Sequence, residues 1–270
     1  MARQHFLAEI SQPDEQIDLA KAALYIAQEA YPELAPDEYL NALDVMAEEV
    51  QDRLPSQNYP LRIIQTINQY LYDDLEFTGN RANYNDPRNS FLNDVIERRT
   101  GIPITLSLVY LEIARRINFP MEGVGMPGHF LIRPCVAQMS IFVDAFNRGE
   151  ILFAEDCQKL LSQIYGESIE LKPEFLVPVT HRQFLTRMLT NLKMIYLQQQ
   201  EWEKALAVVE RILLLFPLPE ELRDRGILYY HLSNWTAASE DLSEYLMRVP
   251  NAKDAPAIQQ LLQYLGKMQN

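Results

Sequence analysis

The chain has 270 residues, 48% hydrophobic and 23% charged, enough apolar material for one large or two ordinary domains. Its 24 Lys and Arg face 37 Asp and Glu, a net charge of −13, which argues against nucleic acid as a partner. No apolar run approaches the length of a membrane span, and residues 1–6 lack the apolar stretch of a secretory signal, so a cytoplasmic location without membrane contact is expected. Cys135 and Cys157 make no disulfide framework. His5, His129, His181 and His231 are too scattered for a zinc site, and no cofactor motif occurs.

Ile17, Leu19, Ala20, Ala23, Leu24, Ile26 and Ala27 predict an amphipathic helix starting near Asp14 or Asp18 and ending at Tyr31-Pro32. Pro36-Asp37-Glu38 opens a second, with Tyr39, Leu40, Leu43, Met46, Ala47, Val50 and Leu54 as its stripe. Pro55 and Pro60 bracket a loop, and Leu61, Ile64, Ile67, Leu71 and Leu75 mark a third helix. The three form a helical lobe with no visible chemistry.

Residues 80–90 form a polar loop in which Asn83, Asn85 and Asp86 can bond their own backbone and Pro87 fixes a dihedral. Asn89 or Ser90 is the expected cap of a helix over 91–99. Gly101 then permits a sharp turn, and Pro103 suits the first turn of a helix to Asn118, with Leu106, Val109, Tyr110, Ile113 and Ile117 buried. Strand-like runs follow at 123–126, 129–133 and 141–146, then a helix over 154–165 and a short strand at 176–179. Arg88, Arg98, Arg99, Arg115 and Arg116 crowd this stretch, but Glu97 and Glu112 offset them as ordinary helix-surface charges. Cys135, beside Pro134, and Cys157 read as buried or half-buried structural residues.

From His181 the period is helical to the end. Trp202 and Trp235 are 33 residues apart (235 − 202), and the same offset relates Tyr196 to Tyr229, Ala205 to Ala238 and Pro217 to Pro250. A period of about 34 residues with these residue types is the tetratricopeptide signature, and 257–268 would supply the capping helix that such stacks need.

A helix start beside a histidine and an aspartate on later strands is the layout of a Cys-His-Asp triad. Tyr84, Asp86, Pro87, Arg88 and Asn89, then Leu92, Asn93, Arg99, Gly101, Pro103 and Ile104, then Pro127-Gly128-His129-Phe130 and finally Asp144 and Phe146 resemble the transglutaminase-like superfamily. With the repeats behind them, the chain from about residue 10 resembles the SirB-type family of bacterial proteins. The resemblance implies an α+β fold: a papain/transglutaminase-like core of helical lobe and small antiparallel sheet over 1–178, then an all-α tetratricopeptide array over 179–270. It also implies a regulatory or scaffolding role, with a protein or peptide partner in the repeat groove.

The chain departs from that pattern where the nucleophilic cysteine should stand, for Gly101-Ile102 leads into Pro103. His129 and Asp144 match the acid-base and orienting positions. His129 is either a functional residue or a structural one bonded to Asp144. A non-catalytic interaction protein is the first expectation, with Tyr84, Asp86, Arg88, Asn89 and Asn93 as a binding rim. The competing one is a residual amide hydrolase or acyltransferase using Thr105 or Ser107, neither of which ionises readily at neutral pH.

Overall fold

A computed structural model describes residues 2–54, 56, 59–136 and 139–268. The chain divides into two compact units, Met1–Leu185 and Thr186–Asn270. Pro55 lies outside the described residues.

Helix α1 (Ala2–Ile10) has no counterpart in the periodicity above, because its buried face is only Phe6 and Ile10, one turn apart and too short to register as a period. Helix α2 (Leu19–Ala27) starts at the second of the two expected caps, where the Asp18 carboxylate accepts the Lys21 N–H. Asp14–Gln16 forms a separate 3-10 turn, and the helix stops at Ala27, short of Tyr31. Helix α3 (Pro36–Arg53) buries Leu43, Ala47 and Val50, one face of a helix.

Helix α4 (Pro60–Asn68) buries Ile63, Ile64 and Ile67, while Leu61, placed on the stripe from sequence, is exposed. A π-helical turn, Gln69–Asp74, follows and buries Tyr70, Leu71 and Tyr72. Its wider turn breaks the 3.6-residue register, so one stripe could not run from Leu61 to Leu75.

Strand β1 (Thr78–Gly79) leads into the polar loop, and helix α5 (Leu92–Arg98) comes out of it. The cap of α5 is Phe91, not Asn89 or Ser90. The capping carboxylate is instead Asp86, which accepts the Arg88 N–H and closes the 3-10 turn Pro87–Asn89. Strand β2 (Thr100–Gly101) pairs with β1 in parallel. Helix α6 (Pro103–Arg116) is buried from Pro103 through Ala114 without a break, polar Thr105, Ser107 and Glu112 included. It is the post around which the first unit is packed.

Strands β3 (Met121–Val124), β4 (Leu131–Pro134), β5 (Phe142–Asp144) and β6 (Glu150–Leu152) form an antiparallel sheet in sequence order. His129, expected on a strand, stands in the turn before β4, where Gly128 takes a left-handed φ of 73° and the His129 N–H reaches the Met126 carbonyl. Helix α7 (Ala154–Tyr165) covers the sheet through Cys157, packed with Val124, Met126 and Leu131. The short strand expected at 176–179 reduces to the 3-10 turn Pro173–Leu176 and one bridge, Val124 to Pro178. Cys135 is exposed, contrary to the buried or half-buried reading, because it lies just past the end of β4.

Helix α8 (His181–Gln198) contains the division between the units. Beyond it, α9 (Trp202–Leu215), α10 (Pro219–His231), α11 (Trp235–Arg248) and α12 (Ala255–Met268) complete the repeat array. Ala205 and Ala238 are both fully buried, as close helix approach at equivalent places demands. The repetition reaches the backbone: Gln200 and Ser233, two residues before each Trp, hold left-handed φ values of 57° and 59°.

Candidate functional site

Asp144 is the last residue of β5 and has no exposed surface. Its Oδ1 accepts the Phe146 and Asn147 N–H groups at 3.0 and 3.2 Å, and its Oδ2 accepts the Asn147 side-chain amide at 2.7 Å. Oδ2 also lies 2.8 Å from His129 Nε2. Asp144 thus fixes the orientation of the His129 ring through Nε2.

The turn that holds Asp144 is pinned by the helical lobe. Asn68 Nδ2 donates to the Gly149 carbonyl at 2.8 Å, and Tyr72 Oη donates to the Ala145 carbonyl at 2.9 Å. Tyr110 Oη in turn bonds Asn68 Oδ1 at 3.0 Å. Gly149 has a φ of 72°, and a Cβ there would sit 2.0 Å from Asn68 Oδ1, so only glycine permits this approach. Burial pushes the Tyr72 and Tyr110 hydroxyls far above the phenol range, which keeps both as neutral donors.

Phe146 forms the wall beside the pair. Its ring lies edge-on to His129 at 6.0 Å and to Tyr84 at 6.2 Å, with the Arg81 guanidinium 4.9 Å from its centroid. A Cβ on Gly79 would meet that ring at 2.5 Å, so the glycine admits it. On the other side, Gly128 abuts Ile164 and Tyr165 of α7, both exposed, as is Tyr84. His129, 7% exposed, thus lies between apolar flanks.

The two candidate hydroxyls are elsewhere engaged or unengaged. Thr105 Oγ1 accepts the Ile102 N–H at 3.1 Å and donates to the Asn89 carbonyl at 2.7 Å, tying the start of α6 to the polar loop. Ser107 Oγ is buried without a hydrogen-bond partner. Neither bonds His129. The first turn of α6 carries Pro103, and no thiol stands there. The exposed Cys135 has its thiol pushed up by desolvation and by Glu122, and burial raises Cys157 to about 11, so both stay protonated at neutral pH.

The expected rim residues divide. Tyr84 is exposed beside Phe146. Asp86 is buried and held below the usual carboxylate range by its bonds from Arg88, with Arg98 3.8 Å away. Asn89 is buried and braces the loop, its amide donating to the Asn83 and Tyr84 carbonyls and its Oδ1 accepting from Asn80. Asn93 is buried with its Oδ1 unpartnered. Asn68, Tyr72 and Asn147 escaped the sequence reading, and only Asn147, next to the Asp144 motif, left a local signal.

The transglutaminase-like superfamily pattern matches residues 37–190, which takes in the whole of this site. This chain belongs to that superfamily. A tetratricopeptide repeat pattern matches 192–263. A UPF0162 protein from Xylella fastidiosa is 36% identical over 250 residues, 91% of this chain and 89% of that protein. A UPF0162 protein from Vibrio cholerae is 32% identical over 183 residues, 67% of each. F-box only protein 21 from Mus musculus is 33% identical over 195 residues, 66% of this chain and 29% of that protein. No solved structure matches. Among the described residues, no helix is long and apolar enough to cross a membrane.

Proposed function

We propose that this is a SirB-type interaction protein, in which a transglutaminase-like domain without its nucleophile is joined to a tetratricopeptide module that binds a protein partner. The observation that carries this reading is the start of α6. It presents Pro103 where a superfamily enzyme places its thiol, and the nearby hydroxyls of Thr105 and Ser107 make no bond to His129. His129 and Asp144 are left as a bonded pair that joins two turns of the sheet.

Repeat arrays offer a helix-lined concave surface, and here the matched repeats span most of the second unit. The full chain incubated with a fluorophosphonate and with a thiol-directed acyl donor should show no labelling that disappears in His129→Ala. Cross-linking of captured proteins should map to α8, α10 and α12. Labelling at Thr105 or Ser107 that depends on His129 would restore the hydrolase or acyltransferase reading.

A further inference from the structure

A cavity of about 610 Å3 opens in the first unit, between the Asp14–Leu19 segment, α6, β3 and the first turn of α8. That is the size of a site for a small ligand or a few residues of a peptide. It uses neither His129 nor any residue beyond Leu185, so it stands apart from the function proposed above.

One wall is the outer edge of β3. The Gly123 carbonyl there accepts the Val179 N–H at 2.9 Å, so the far half of the edge is already closed. On the inner side, β3 faces β4, with Met121 opposite Pro134, which has no N–H to give. Backbone polar groups alternate sides along a strand. The N–H and C=O of Met121 therefore point the same way as the Gly123 carbonyl, and among the described residues no hydrogen bond reaches either. An open strand edge inside a concavity is a template for one more strand.

The rest of the lining says what that strand should carry. Leu19, Leu111 and Phe184 are apolar. Asp14, Glu15, Asp18, Glu112 and Glu122 also line it, against the single arginine Arg115. Asp14 is spent on the first turn of α8, and Glu112 on Arg115 and Arg116. Glu15 is exposed, and Glu122, part-exposed itself, is shared between the part-exposed Arg133 and the Cys135 thiol.

We propose that this cavity takes an extended basic segment of a partner protein, which adds a short strand to β3 and sets Lys or Arg side chains against Glu15 and Glu122. A second copy of this chain is the poorer occupant, since a net charge of −13 repels itself.

The probe is a short labelled peptide alternating Lys with Val, titrated into the full chain by fluorescence anisotropy, with the Glu-for-Lys peptide as control. The Lys peptide should bind, weaken as salt rises, and slow amide exchange at Met121 and Gly123; the Glu peptide should not bind. Glu15→Lys combined with Glu122→Lys should weaken binding about tenfold or more. Met121→Pro, which removes the outward N–H and leaves the β4 ladder intact, should weaken it as well. If Met121→Pro misfolds, Glu15→Lys alone, at an exposed position, decides the matter. Absence of binding, equal binding of the two peptides, protection confined to residues 186–270, or charge reversals that change Kd less than about twofold would each overturn the proposal.

Discussion

Asp144 carries four hydrogen bonds on two oxygens with no contact to water. Replacing it with Ala strips partners from two backbone N–H groups, an amide and an imidazole at once. Asp144→Ala should cost about 3 kcal/mol in urea unfolding; a loss under about 1 kcal/mol would mean that water replaces the carboxylate freely. Asp86 shows its charge in another way. Its folded pKa is depressed, chiefly by the Arg88 hydrogen bonds, so its contribution is present above the ordinary carboxylate pKa and fades as pH falls through the lower folded value. Asp86→Asn should therefore be less stable than the parent at neutral pH, with the gap closing in acid. His129 and Asp144 entered the sequence reading through the resemblance to the transglutaminase-like pattern, whose acid-base and orienting positions they match. Asn68 and Tyr72 did not, since they act on carbonyls 81 and 73 residues away and nothing in their own neighbourhood marks that.

Elements repeat the lesson in their ends. Gln200 and Ser233 hold a left-handed backbone without being glycine, at the same turn of successive repeats. Glycine removes that strain but adds unfolded-state freedom. Gln200→Gly and Ser233→Gly should each be neutral to about 1 kcal/mol stabilising in thermal unfolding, whereas glycine two residues earlier, inside the helices, should destabilise. The 33-residue offset made the repeat legible from Trp, Tyr, Ala and Pro, although these turns carry no glycine to advertise them. The start of α5 was misplaced for a physical reason: Asn89 and Ser90 look like caps, but Asn89 is consumed in bracing the loop and Thr105. The π-turn at Gln69–Asp74 hid similarly, since composition does not distinguish it from an α-helix.

At the scale of the whole molecule, the order of elements and the join of an α+β unit to a helical array could be read from periodicity and turn residues. Contacts between distant segments could not. Helix α12 covers Ala238, Leu242 and Tyr245 with Ile258 and Leu265. Removing residues 251–270 should lower the melting temperature and raise dye binding to exposed apolar surface, because a repeat stack needs a closing helix. A far longer reach joins residues 10–14 to the start of α8. Asp14 accepts the N–H groups of His181 and Arg182, and Arg182 Nη2 donates to the Ile10 and Gln12 carbonyls. The partner of Asp14 is 167 residues downstream. On a ribosome adding about 5–20 residues per second, residue 14 waits on the order of ten to thirty seconds for that partner to be made. Until then the segment is held only by nearby bonds such as that from the Asp18 N–H to Glu9, and a chaperone at the tunnel exit has that interval in which to hold it.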